Sequence, residues 1–327
     1  MPSNSRNLKI HRSSRFNVRD SVKMDQGLLY KNMLKKQCQN RFFNMDSCHI
    51  EVRPDLIDFV TDIGSELGFR DLTINSAIAI FDAVFSLYFI KKQQMKMVAY
   101  VSLHLSAKMH ENNNKIPKLS TICQLFQNAY TLSELEECER SLFKILNYRM
   151  DVTTPLAFVE LFLSRGLISS KDKKSFGKRL GKKQFEHKLN RFENLVYHYI
   201  NLSNAYYEFY QFTPVAIATS AILCARKEMG FEEYWPWHVQ ELTGINLESI
   251  VKCAESLFYV GQDESEYEEE VEESEHEMEE ESPMKQVSAS GKDTTYLEDD
   301  CFSKRMSYDR ISEFEFPDDE YEGFDVC

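Results

Sequence analysis

Between positions 53 and 150, apolar side chains recur every three or four residues in runs separated by short polar breaks, the period of amphipathic helices. Leu56, Ile57, Phe59, Val60 and Ile63 form one face behind Pro54, which suits a first helical turn, and Gly68 closes that helix. Residues 71–89 repeat the pattern through Ile74, Ala77, Ile78, Ile80, Phe81, Val84 and Phe85. Residues 93–108 are apolar nearly all round, which predicts a central buried helix. Asn112, Asn113 and Asn114 predict a loop, and Pro117 opens a fourth helix over 119–129. Thr131 or Ser133 caps a fifth, with Glu136 or Glu137 favourable near its positive end. Ahead of the unit, Leu28, Leu29, Met33 and Leu34 predict a helix within 26–43, laid against the body.

A second helical unit follows Asp151. Thr154 before Pro155 and Thr213 before Pro214 are helix-entry signals, and Asn246 is a third. Helices are predicted over 156–163, 195–210, 213–229, 234–243 and 246–259, with Gly244 dividing the last two. Residues 169–191, rich in lysine, predict an exposed basic loop or loose helix. Trp235 and Trp237 flank Pro236 at a helix entrance and are expected to pack in the core. No segment alternates with period two long enough for a sheet. The expected fold class is therefore all-α, two tandem helical domains over 25–150 and 151–261 between disordered termini.

Charge sharpens that division. The net charge is −13, yet residues 262–327 hold 25 acidic and 5 basic residues, leaving 34 basic and 27 acidic in 1–261. Between 263 and 281 there are 13 acids in 19 residues, too charged to bury, so 262–327 reads as a disordered acidic tail. Residues 1–24 carry Arg6, Lys9, Arg12, Arg15, Arg19 and Lys23 against Asp20 and read as a disordered basic arm. The eight cysteines show no CxxC spacing and are expected to be reduced thiols of a cytosolic or nuclear protein. No apolar run approaches the roughly 20 residues of a membrane span, so no membrane partner is expected.

Catalytic and metal-binding patterns are missing from the sequence. Residues 177–183 (GKRLGKK) lack a spacer and the terminal Ser or Thr of a phosphate loop. His110-Glu111 has no second histidine at zincin spacing, and the acidic run has no calcium-loop glycine. The expectation is a non-enzyme with no cofactor and no metal. Ser282 before Pro283 is a minimal proline-directed phosphorylation site whose added charge would tune partner exchange.

The ordered set Arg53, Asp82 (in IFDAVFS), Met97, Lys108 (in LSAK) and Glu139 (in CERSLFKILNYRM) resembles the signature of a cyclin box, with Met97 where leucine is usual. The resemblance extends over about 53–261. It implies that Lys108 and Glu139 grip a cyclin-dependent kinase, and that Arg53 and Asp82 form an internal ion pair tying the first two helices. One cation and one carboxylate suit the amide and carbonyl groups left open at the end of a kinase helix. Many cyclins dock Arg-x-Leu substrates through an apolar patch beginning Met-Arg-Ala-Ile-Leu. Here Val52, Arg53, Pro54, Asp55 and Leu56, then Phe59, stand in that stretch, a divergent patch with a charge at Asp55.

Residues 53–60 (RPDLIDFV), 147–163 and 242–261 further resemble the cyclin-like proteins with a cyclin N-terminal domain that mark meiotic crossover sites. That likeness implies residence in the nucleus on meiotic chromosomes, meiotic recombination proteins as partners, and promotion of crossovers. Two alternatives stand beside it. One is a scaffold recruiting recombination factors without productive kinase contact. The other is a DNA-binding transcription factor with cyclin-like repeats, using 171–191; the long acidic tail and the lack of a zinc ribbon in the sequence argue against it. Direct nucleic-acid binding by the basic loop stays open.

Overall fold

The computed structural model describes residues 26–37, 44, 46–47, 49–125, 129–168, 172 and 182–262. The basic arm, the acidic tail with Ser282, and most of 169–181 lie outside the described residues. Those described form helices α1 (Gln26–Lys36), α2 (Arg53–Glu66), α3 (Asp71–Leu87), α4 (Lys92–His110), α5 (Leu119–Leu125) and α6 (Leu132–Ile145). There follow α7 (Pro155–Arg165), α8 (Lys182–Ala205), α9 (Pro214–Glu228), α10 (Trp237–Thr243) and α11 (251–262). No strand occurs among the described residues.

Each domain is built around a helix that is apolar on all sides. In the first, every residue of α4 from Met97 to Ala107 is buried, with α2, α3 and α6 packed on it. Leu56, Val60, Phe81, Val84, Tyr100, Leu103 and Leu142 belong to this core. α2 approaches α3 closely because Gly64 has no side chain: a Cβ there would lie 2.7 Å from Ile74 Cγ1. In the second domain α9 plays the same part, buried from Ile217 to Arg226 against α7 and α8. Phe158, Phe162, Phe192, Val196, Ile222 and Leu257 surround it. Among the described residues both central helices are third in a series of five, α2–α6 and α7–α11.

Two of the entry signals act as the sequence suggests; Asn246, the third, leads only into a 3-10 turn over Leu247–Ser249 and makes no side-chain cap, so the helix expected from 246 begins at 251. Thr154 and Thr213 accept the N–H of Ala157 and Ala216, with Pro155 and Pro214 in the first turns. Thr131 caps α6 in a full capping box with Glu134, nearer the cap than Glu136 or Glu137. Gly68, with φ of 66°, lets the Phe69 N–H return to Gly64 O at 2.8 Å.

Three expectations are corrected. The helix expected from 195 begins at Lys182, so 182–191 is the first part of a 24-residue helix. It is held by Phe185, Leu189, Phe192 and Val196, which share one side. Trp237 is 71% exposed, and only Trp235 is buried, its indole N–H donating to Ile245 O at 3.1 Å. Pro236, extended at φ −70° and ψ 157°, sends the two rings in different directions. Finally, α1, contiguous with the first domain, packs on α7 of the second: Tyr30 lies edge-on to Phe158 and Phe162 and its hydroxyl donates to Thr243 O.

Candidate functional site

α4 and α6 pack side by side in the first domain. Leu135, Cys138 and Leu142 of α6 face inward. Glu139, next to Cys138, therefore sits at the rim of that contact. α4 is buried from Met97 to Ala107, and just beyond, in its last turn, Lys108 emerges beside a helix C-terminus that favours a cation. The Lys108 ammonium and Glu139 carboxylate meet in an ion pair. The lysine is 43% exposed and the glutamate 14%, so the pair is assembled yet reachable from solvent. A cation with spare donors and a carboxylate with a spare oxygen are thus held together on one face.

Two buried groups lie under this pair. Burial, with a smaller part from Glu139, pushes the Cys138 thiol up to about 12, which removes it from thiolate chemistry. His104, one turn before Lys108, is pushed down to about 4 by burial and then by the Lys108 charge, against a weaker opposite pull from Glu139. Its Nδ1 meets no hydrogen-bond partner among the described residues. Because the folded value lies below the unfolded value of about 6.5, the unfolded chain binds the extra proton. The stability from keeping His104 neutral is complete above about pH 6.5 and is lost as pH falls toward 4. At about 1.4 kcal/mol per pH unit this amounts to about 3–4 kcal/mol. His104→Leu is expected to flatten that limb in urea melts between pH 7 and 4.5; an unchanged slope would contradict the assignment.

Arg53 and Asp82 form a second, wholly buried pair. Arg53 Nε donates to Asp82 Oδ1 at 2.9 Å and Nη2 to Oδ2 at 2.8 Å. Burial alone would raise the Asp82 carboxyl; Arg53, His49 and Tyr210 outweigh it and hold the group below its ordinary value. Burial likewise opposes the Arg53 charge, and Asp82 with Tyr210 overcomes it, raising its pKa. Beyond α2 and α3, this cluster joins the two domains. Tyr210 donates to Asp82 Oδ2 at 2.5 Å, Arg53 Nη1 donates to Ala205 O at 3.1 Å, and Asn204 bonds Asn75 at 2.6 Å. His49 Nε2 lies 3.4 Å from Asp82 Oδ1. Sequence reading missed Tyr210 and His49, since neither spacing nor type marks two residues that reach Asp82 from 128 and 33 positions away.

The divergent docking patch does not exist as a surface. Leu56 and Phe59 are 0% and 4% exposed, parts of the first core, and Val52 is half-buried. Leu56, Phe59, Val60 and Ile63 are the inward side of α2, which leaves Pro54, Asp55 and Asp58 outside. The Asp58 carboxyl is raised by partial burial and then by the nearby charges of Asp62 and Asp55. An Arg-x-Leu peptide has no apolar seat here. Calorimetric titration is expected to show no saturable binding; an affinity in the micromolar range would contradict this.

Among the described residues no group of His, Cys, Asp and Glu is placed to hold a metal ion, and no helix is long and apolar enough to cross a membrane. The chain matches the family description "Cyclin, N-terminal domain" over residues 28–151 and "Cyclin, C-terminal domain" over 153–290. The chain belongs to the cyclin family. Cyclin-B2-3 of Arabidopsis thaliana is 24% identical to this cyclin over 236 residues, 71% of the chain and 50% of that protein. G2/mitotic-specific cyclin-A1 of Caenorhabditis elegans is 24% identical over 234 residues, 70% of the chain and 44% of that protein. This cyclin thus spans about half the length of the relatives it matches. The X-ray structure of a viral cyclin from herpesvirus saimiri superposes with a TM-score of 0.51 at 10% identity. That likeness covers 72% of this chain and 94% of the viral one, and it concerns the fold: two tandem, all-α cyclin domains.

Proposed function

We propose that this cyclin binds a cyclin-dependent kinase through the face bearing Lys108 and Glu139, and that it acts in the nucleus at meiotic recombination sites to promote crossovers. The observation that carries the kinase contact is the ready-made ion pair on the rim between α4 and α6, half-exposed on an otherwise buried scaffold. An α-helix of the partner leaves amide groups open at one end and carbonyl groups at the other. Lys108 offers donors and Glu139 an acceptor, and both are fixed before the partner arrives, so little ordering cost falls on binding. A kinase must bring its own Lys–Glu pair together to orient ATP, so a partner that favours the assembled state by a few kcal/mol shifts the population toward activity. The meiotic assignment is supported by the likeness of residues 53–60, 147–163 and 242–261 to crossover-site cyclins.

Purification of the tagged chain from germ cells, followed by mass spectrometry, tests both parts. A cyclin-dependent kinase and recombination proteins are expected in the wild-type eluate, and the kinase alone is expected to vanish with Glu139→Lys. An eluate of recombination proteins without any kinase would favour the scaffold instead. Strongly salt-dependent duplex binding through 171–191 would favour the transcription-factor reading.

A further inference from the structure

The N-terminal half of α8 carries cations on its outer side. Lys183 and Arg191 are exposed, with the exposed imidazole of His187 midway between them at spacings of four, Lys188 is half-buried beside them, and Glu186 is the exposed acid in this stretch. Such spacing lines side chains along one stripe of a helix. Lys171, Lys173, Lys174, Lys178 and Arg179 precede it in sequence, with Asp172 as their nearest acid. Asp172 is already engaged: Arg226 Nη2 donates to it at 2.6 Å and His238 Nε2 lies 3.2 Å away. Its negative charge is therefore largely spent on these two partners in the second domain.

The end of the described body lies on the same helix. A side chain added at Gly261, in α11, would meet Tyr199 at 2.8 Å and Leu202 at 3.3 Å, both residues of α8. From Tyr199 back to Arg191 is about 12 Å of helix, and to Lys183 about 24 Å. The acidic run begins at Asp263 and continues to Glu281, with 13 acids in 19 residues. Ten residues of chain reach at most about 33–36 Å, so the run has the length to lie along the stripe. Linkage in one chain also raises the effective concentration to the millimolar range.

We propose that residues 263–281 dock along the basic N-terminal half of α8 in the same molecule. Charge complementarity and the short path from Gly261 select this occupant over a second copy. The acidic segment then covers the face that a nucleic acid or an acidic protein would need, and such a partner must displace it. The contact is electrostatic and exposed, so it is sensitive to salt.

Carbodiimide coupling, which joins a lysine amine to a carboxylate in contact, tests this on the full chain. At roughly 20 mM salt, couplings from Glu266–Glu281 are expected to fall on Lys183 and Lys188 rather than on Lys31, Lys35, Lys118 or Lys252, and to drop about fivefold at roughly 500 mM. Lys183→Glu with Arg191→Glu, both at exposed positions, is expected to lower coupling at Lys188 about fivefold and leave the other sites unchanged. Mixing isotopically light and heavy chains distinguishes a contact within one molecule from one between two. Couplings spread evenly over the body, or joining light to heavy chains, would overturn the proposal.

Discussion

Asp82→Ala is expected to lower the unfolding free energy by about 3–5 kcal/mol. The substitution removes both carboxylate oxygens that hold the Arg53 guanidinium and leaves that charge buried at 1% exposure. It also strands the Tyr210 hydroxyl and loosens the link between the first domain and the Ala205–Tyr210 segment. Arg53→Ala should cost a similar amount, because it leaves an unpaired carboxylate instead. Replacing both together with apolar residues of similar size, Arg53→Met with Asp82→Leu, is expected to cost less than either single change, since no uncompensated charge remains. Denaturant melts of the four chains check this, and a loss below about 1 kcal/mol for Asp82→Ala would mean the pair contributes no more than a surface one. Since the folded Asp82 value is depressed, its contribution is present above the unfolded value near 3.9 and lost as pH falls below it. Acid sensitivity below pH 6.5 is then assigned to the histidines that burial holds below their ordinary value, His104 and His110, and it separates from that of Asp82 on the pH axis.

The second large effect concerns the proposed kinase-binding face. Lys108→Ala or Glu139→Ala is expected to weaken kinase binding by about 2–5 kcal/mol, roughly thirty-fold or more. Each change leaves the remaining charge, and the partner groups it served, without a counterpart once water is excluded. Stability should change little, by about 0–1 kcal/mol, because the pair is partly exposed in the free protein. This contrast between a large binding effect and a small folding effect sets the pair apart from Arg53–Asp82, where the loss is one of stability. Surface plasmon resonance with the recovered kinase, beside thermal melts of the same variants, measures both.

How far the sequence foretold these features depends on whether the causes are local. A helix apolar on every side, such as α4, announces its burial through composition alone, and Thr154-Pro155 and Thr213-Pro214 announce helix starts through one cap and one fixed φ. The beginning of α8 was hidden because lysines on its outer side mask the Phe185–Leu189–Phe192–Val196 repeat on the inner. Trp237 was misjudged because size and apolarity say nothing of direction, which Pro236 decides. The same limit applies to Leu56 and Phe59: their apolar character was plain, yet whether that face turned to a partner or to the core depended on α4 lying beneath it. Lys108 and Glu139 are 31 positions apart, and periodicity places each on a helix without bringing them together. A family resemblance suggested the pair, and the packing of α4 on α6 supplies its physical reason.

A charge swap distinguishes recognition from mere pairing most directly. In Lys108→Glu with Glu139→Lys the ion pair can reform, so the melting temperature is expected to match that of the unaltered chain, whereas donor and acceptor are exchanged with respect to the kinase. Titration of the kinase with the swapped chain is expected to show affinity reduced at least about thirty-fold. Binding of the swapped chain at full strength would contradict the claim that this ammonium and this carboxylate hold the kinase.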